Sequence, residues 1–421
     1  MNQSFLKKLF YLLFFLLLSV IAYNQVPGCT DPLSSNYNPL ATVNNGSCTY
    51  NTTTYTPMIK VDPITDSLAE SSGLQMAGNY LWSFNDRGGT PTLYRIDTLT
   101  KTLLQRVILG GATNTDWEDI TFDGTNLYIG DFGNNLNGAR TNLKIYKFPL
   151  SIIPDYTSNP VTTIPSQQIE VINFSYSDQP QPPAVVALNT TQYDCEAMIV
   201  DNGKIHLFSK NWVANNSTHY VINSTSAGTY IATPVETLAT NYLVSAADKI
   251  AGQNIVVLLG YQNSGTGSHF IHILSDYKAD SFFTGNKRVL NLPDATIMGQ
   301  SEGLSFRNGK YGYISNEKFV RTVGPFTFTV NQKLQAFDIS NFTNNYFTKY
   351  NFTGNGNWSD SANWQYHLVP PSTLVAGNEI LIDPIAGGEC ILDIPYTLSA
   401  GTKLSVNNGK SFLVKGNLIV Q

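Results

Sequence analysis

Charge is scarce in this chain, and basic runs are absent from it. Asp, Glu, Lys and Arg together make up 13% of 421 residues, with a formal net charge of -5. Without Lys/Arg clusters there is no electrostatic footprint for nucleic acid or for an anionic membrane surface. Sustained helical periodicity is missing after the first two dozen residues. No G-x-S-x-G, H-E-x-x-H or phosphate-binding P-loop occurs, which removes three common hydrolytic and nucleotide-handling designs. Histidine is rare, at five residues, and His269 and His272 fall on opposite faces of a strand. Cysteine is rarer still, at four, with no C-x-x-C.

What is present suits strands and turns. Aromatics reach 12% of the chain, and Gly, Asn and Thr are plentiful. The length leaves room for more than one domain. Residues 1–25 open with Lys7 and Lys8, continue as an apolar run from Leu9 to Ala22, and end on Tyr23-Asn24-Gln25. That pattern predicts a secretory signal peptide cleaved near Gln25, hence a secreted or cell-surface protein. No later stretch is apolar and long enough to span a membrane. In an exported protein disulfides persist. Cys29 and Cys48 are close enough in sequence for a local bridge, whereas Cys195 and Cys390 read as buried small hydrophobes.

A unit of strand, tight turn and strand, opened and closed by carboxylates, recurs along the middle of the chain. Its clearest copy is Asp116-Trp117-Glu118-Asp119 through Asp123-Gly124 to Gly130-Asp131; weaker copies start at Glu70, Glu196, Asp248 and Glu302. The opening acids are spaced by 48, 78, 52 and 54 residues, and four short strands with turns need roughly 40–50 residues. The repeat is therefore a propeller blade, and residues 57–347 are expected to form an all-β, five-bladed β-propeller. Six blades is the alternative, if the long interval hides another. Its Pro-rich stretches, Ser151 to Ser166 and Gln179 to Ala187, read as loop insertions. Pro57 to Pro63 is placed to complete the last blade, beside Lys333 to Ile339.

The first strand of each blade lines a propeller's channel. Glu70, Glu118, Glu196, Asp248 and Glu302 are thereby expected to form a ring of carboxylates, with Ser71 and Ser301 beside them. Carboxylates so close need a cation or raised pKa values, and Ca²⁺, a hard ion taking six to eight oxygens, is the simplest compensation. A second tier, at the ends of the second strands, holds Asp86, Asp131, Lys210, Tyr261 and Glu317. These are the candidate catalytic residues at the channel mouth, with Arg87 and Arg140 as candidate contacts for an anionic ligand.

The flanks carry resemblances. G-C-x-D, N-Y-N and G-S-C within residues 26–50 resemble a Cys-bracketed module of secreted bacterial surface proteins. Acidic residues commonly precede its last cysteine, but Asn44 and Asn45 stand there, so a disulfide-closed spacer (Cys29–Cys48) is favoured over a calcium site at Asp31. Residues 51–56 read as a Thr-rich linker. From 348 to 421, Gly356-Asn357-Trp358-Ser359-Asp360 through Asn363-Trp364 resembles the entry of β-solenoid domains on bacterial surface proteins. Short strands with Gly/Asn turns fit stacked rungs or a small β-sandwich.

The propeller carries two more. Asn85-Asp86-Arg87-Gly88, Asp116 to Asp119, Gly130 to Asn135, Cys195-Glu196-Ala197 and Ser301 to Phe306 resemble a family of uncharacterised secreted bacterial propellers. More distantly, Glu70-Ser71, Trp117-Glu118, Cys195-Glu196-Ala197 and Glu302-Gly303 are similar to the calcium-activated nucleotidases (apyrases), five-bladed propellers with a channel calcium. That resemblance implies Glu70, Ser71, Glu118, Glu196 and Glu302 as ligands. The arginine-rich phosphate-binding segments of that family have no counterpart here. Two functions follow as expectations: a calcium-binding propeller that binds an extracellular glycan, a small anionic ligand or a cell-surface component, or a metal-dependent hydrolase of phosphoesters or glycosides.

Overall fold

The computed structural model describes residues 25–100, 102–264, 267–323, 325–343 and 349–421. The expected signal peptide, apart from Gln25, and the expected domain boundary at 347/348 lie outside the described residues.

Five inner strands form a closed ring: Ser71–Ala77, Trp117–Phe122, Cys195–Asp201, Leu243–Lys249 and Gln300–Asn308. Each touches the next, and the fifth touches the first. Every inner strand begins an antiparallel blade. Blade 2, for example, continues through Asn126–Asp131, Lys144–Pro149 and Glu170–Tyr176. Blade 5 consists of Gln300–Asn308, Tyr311–Glu317 and Leu334–Asp338, and its outermost strand is Met58–Val61 from before blade 1.

The fold is thus the expected five-bladed propeller, and the six-bladed alternative falls. The long interval supplies a strand the sequence reading left as loop, Val161–Ile164, which adds in parallel to Leu103–Leu109 of blade 1. The expected linker is also partly structured, since Thr53–Thr54 pairs with Asn286–Asp294 at the rim of blade 4.

Large side chains fill the spaces between blades. Phe84 and Trp117 meet edge to face with ring centroids 5.3 Å apart, in a cluster with Trp82, Ile129 and Phe148. Burying each such side chain is worth about 1.5–3 kcal/mol. Two buried aspartates add polar ties. Asp119 accepts from its own blade (Ile120 N, 2.8 Å) and from Met198 N of blade 3 (2.7 Å). Asp248 accepts from Lys249 N (2.8 Å) and from Phe306 N of blade 5 (2.7 Å). Each satisfies backbone donors that would otherwise be stranded between blades.

Two modules flank the ring. Cys29 and Cys48 are disulfide-bonded, and the small loop they close docks on blade 4 through Thr30 to Asp276 and Asn44 to Asn286. The Asp31 carboxylate accepts from Leu33 N and from the Tyr50 hydroxyl, so it caps the loop. The C-terminal region is a β-solenoid, not a sandwich: three strands per turn stack in parallel over three turns, as in Lys349–Phe352, Glu379–Ile382 and Lys403–Val406. Phe352, Trp358, Trp364, Cys390 and Tyr396 fill its core. It approaches the propeller at the far ends of the inner strands, where Tyr350 and Leu368 share a cavity with Asp248 and Phe306. Among the described residues no helix is long and apolar enough to cross a membrane.

Candidate functional site at the channel mouth

Each inner strand carries a β-bulge near its start. The pairing slips at Ser71/Leu74, opposite Trp117/Asp119, and at Cys195/Ala197, Val244/Ala246 and Ser301/Gly303. The residues set out of register are Ser72, Glu118, Glu196, Ser245 and Glu302, one per blade, with Gly73 skipped as well in blade 1. A bulge re-aims the side chain of its extra residue, and here four of the five, all but Ser245, line one mouth of the channel. The glycine after the bulge in blades 1 and 5 follows from the same geometry. A Cβ on Gly73 would lie 2.9 Å from Asp119 Cα, and one on Gly303 would lie 2.6 Å from Ser72 O. At these two positions, in blades 1 and 5, the neighbouring backbone approaches too closely for a side chain.

The ring is therefore three glutamates and two serines. Ser72 Oγ donates to Glu118 O (2.9 Å) and Ser245 Oγ to Ser301 O (2.8 Å), each tying one blade to the next. Two residues expected in the ring are elsewhere. Glu70 is exposed and lies two positions before the bulge, level with Asp116 and Asp194; the carbonyls of these three each accept a backbone N–H from just past the end of the following strand (Asp86, Gly133 and Lys210). Asp248 sits near the far end of its strand and is consumed by the inter-blade tie. Ser71 is turned to Ser83, 3.0 Å away.

The mouth is a cavity of about 250 Å³ lined by Asp86, Glu118, Glu196, Glu302 and Glu317 together with Lys210, Arg87, Trp212, Tyr261 and Gln300. The Lys210 ammonium, 3% exposed, stands 3.0 Å from Glu196 Oε2 and lies over the rings of Trp212 and Tyr261. Burial alone would lower its pKa, but Glu196, Glu302 and Tyr261 outweigh that and raise it, so it stays charged. Gln300 Nε2 and the Tyr261 hydroxyl donate to Glu302 Oε1 at 2.6 and 3.4 Å, while Glu302 Oε2 is buried without a hydrogen-bond partner.

Burial raises every acid of this cluster. It pushes Asp86 up to about 7 and Asp116 up to about 6, against attraction from Arg87. Glu118 and Glu317 are raised by burial and then by neighbouring carboxylates; for Glu196 and Glu302 the Lys210 ammonium offsets part of the rise.

One ligand oxygen each of Asp86, Asp116 and Glu118 lie within 4.8 Å of one another. Asp86 Oδ1 and Asp116 Oδ1 are buried and have no hydrogen-bond partner. Arg87 approaches Asp86 and Asp116 only to 3.8 and 3.7 Å, beyond hydrogen-bond reach. The backbone yields to these carboxylates at Gly133, where a Cβ would lie 2.0 Å from Glu118 Oε1 and 2.6 Å from Asp116 Oδ2. Three convergent carboxylates with open lone pairs fit a hard divalent cation.

The remaining candidates have structural partners. Asp131 is fully buried; its carboxylate accepts from Asp116 N (3.1 Å) and from Arg140 Nη2 (2.7 Å). Arg140 also donates to Gly133 O and Asn142 Oδ1. The two hold the loop that carries Gly133 and do not line the mouth. Asp116 and Asp194 were not among the sequence-based candidates. Their signal was the acid two places before the bulged glutamate, in Asp116-Trp117-Glu118 and Asp194-Cys195-Glu196. Asp194 is held by Asn134 N (2.6 Å) and by Trp212 Nε1 (2.7 Å), so it anchors the tryptophan.

No family model matches this sequence, and no curated protein does. Solved structures similar to it include the PQQ-bound aldose sugar dehydrogenase of Streptomyces coelicolor, with 10% identity and a TM-score of 0.36 over 66% of this chain and 97% of that one. A bifunctional GH43-CE protein of Bacteroides eggerthii is similar at 13% identity and a TM-score of 0.38, over 67% of this chain and 37% of that one. A GH43 β-1,3-galactosidase is similar at 12% identity and a TM-score of 0.36, over 68% of this chain and 60% of that one.

Proposed function

We propose that the protein is exported and that its propeller mouth binds Ca²⁺ together with a neutral, polyhydroxylated ligand of the carbohydrate class. The observation that carries the reading is the convergence of Asp86, Asp116 and Glu118, with Asp86 Oδ1 and Asp116 Oδ1 lacking partners. Asp86, Asp116 and Glu118 would hold the ion, which would supply positive charge and open coordination positions for ligand hydroxyls. Chain groups do the rest: Gln300, Glu302 and Glu317 accept or donate hydrogen bonds, and Trp212 offers an apolar edge.

Charge argues against the phosphate-bearing alternative. Lys210 is held by Glu196, Arg140 by Asp131, and Arg87 faces two aspartates. The mouth has more carboxyls than cations, and no cluster of basic groups is left to meet an anion. The disulfide at Cys29–Cys48 supports an exported protein, because such bonds persist in oxidising compartments.

The same cluster supports hydrolysis as a second reading. With no ion bound, burial and Asp116 push Asp86 up to about 7, so it retains a proton near neutral pH and is suited to general-acid work. A cation on Asp86 would remove that proton, so the two readings exclude each other at this residue. Calorimetric titration of the EGTA-treated protein with Ca²⁺ tests the first reading, and absence of saturable binding at neutral pH sinks it. Chromogenic glycosides test the second: turnover should occur and be lost in Asp86→Asn.

A further inference from the structure

A second cavity, of about 360 Å³, opens directly beside the mouth and shares Tyr261, Asn263 and Gln300 with it. One wall is the loop after blade 4's second strand, with Gln262 and Ser264. The other is a hairpin, Phe319–Val323 and Phe326–Val330, inserted between the second and third strands of blade 5. This hairpin belongs to no blade sheet; its two strands pair with each other. Nothing in propeller closure requires it. It carries exposed apolar side chains, Val320 at 56% and Phe328 at 53% exposure, and presents the half-buried Phe319 to the cavity.

We propose that this cavity is a second subsite for the same ligand, which is a neutral oligosaccharide and not a single sugar. The inference rests on the carbohydrate reading of the mouth. Two adjoining cavities of this size together fall in the range that encloses an elongated small ligand. The chemistry of the side cavity is divided as a pyranose is. Phe319 and Val320 supply an apolar face, Gln262, Asn263, Ser264 and Gln300 supply amide and hydroxyl groups that both donate and accept, and Arg321 adds a donor at the hairpin side. A sugar ring has a C–H face and a rim of hydroxyls, so it satisfies both. The three shared residues form the threshold that a glycosidic linkage would cross. Phosphate-linked chains are disfavoured because their charge would pass the acidic mouth.

The test is binding of neutral oligosaccharides from glucan, mannan, galactan and xylan series, from one to four units, to the intact protein in Ca²⁺. In the series that binds, affinity should rise about tenfold or more from monomer to dimer, and Phe319→Ala should remove most of that gain. Monosaccharide affinity and Ca²⁺ affinity should be unchanged, because Phe319 touches neither. Gln262→Ala, on the opposite wall, should reduce the same gain without altering the hairpin. Length-independent affinity, or a Phe319→Ala loss equal for all lengths, overturns the proposal. So does failure of every series to bind while Ca²⁺ still binds. Failure of Ca²⁺ titration with length-dependent sugar binding intact would instead overturn the cation reading and leave the subsite standing.

Discussion

Lys210 Nζ lies 3.0 Å from Glu196 Oε2, with both side chains at most 4% exposed. The chain thus supplies, from the residue just past blade 3's second strand (Lys204–Ser209), a cation for one of the ring's glutamates; the Ca²⁺ proposed above would be held by Asp86, Asp116 and Glu118. Truncating Lys210 to Met should leave a buried, uncompensated acid cluster and cost about 3–5 kcal/mol. The Glu196→Gln/Lys210→Met pair should recover most of that loss. Chemical denaturation of the two variants checks it.

Asp116→Asn and Glu118→Gln should each weaken Ca²⁺ binding by at least about tenfold, while Glu70→Gln should leave it unchanged. Protons compete with the ion at these carboxylates. Asp86 titrates near 7 and Asp116 near 6, so affinity should rise as pH goes from 5 to 8. Calorimetry across that range measures both effects. At a hundredfold excess over Kd, Ca²⁺ should stabilise the fold by about 2.7 kcal/mol.

Gly133→Ala should abolish cation binding without touching a ligand residue, because the new methyl takes the space of the Glu118 and Asp116 carboxylates. Titration with Ca²⁺ is the readout. Binding equal to that of the wild type would show that these carboxylates are not the site.

Asp119→Ala should strand the amides of Met198 and Ile120. Each buried, unmet donor costs about 1–3 kcal/mol, so the melting temperature should fall while Ca²⁺ affinity holds.

Asp248 gives the pH signature of the far end of the ring. Burial pushes it from 3.8 up to about 6, so the folded state holds the proton more tightly than the unfolded chain. Its contribution is most favourable below pH ~4, declines as pH rises through about 6, and is level above that. The shift corresponds to about 3 kcal/mol. In metal-free buffer, Asp248→Asn should flatten stability between pH 4 and 6.5 relative to the wild type.

The ring was readable because its signals are local. Turn residues and alternating strands repeat at blade spacing, and the last blade closes where the pattern put it, with Met58–Val61 beside Leu334–Asp338. Register was not readable. A bulge shifts facing by one residue without a marker in composition, so Glu70 looked equivalent to Glu118 when its true counterpart is Asp116. Asp248 has the right residue type in the right strand, but at the end away from the mouth. Partners were hidden as well: nothing local says that Arg140 is spent on Asp131 or Lys210 on Glu196. The hairpin at Phe319–Val330 was missed because an insertion inside a blade has no repeat to betray it.

Met58–Val61 is made before any blade yet lies at the outer edge of the last one. During synthesis this strand must wait unpaired until Leu334–Asp338 has left the ribosome. Assembly of the circle is thereby deferred to the end of the propeller's translation. The residues made first are thus the ones locked in last, and the acidic mouth, which needs Glu302 and Glu317 of blade 5, cannot take shape from a partly made chain.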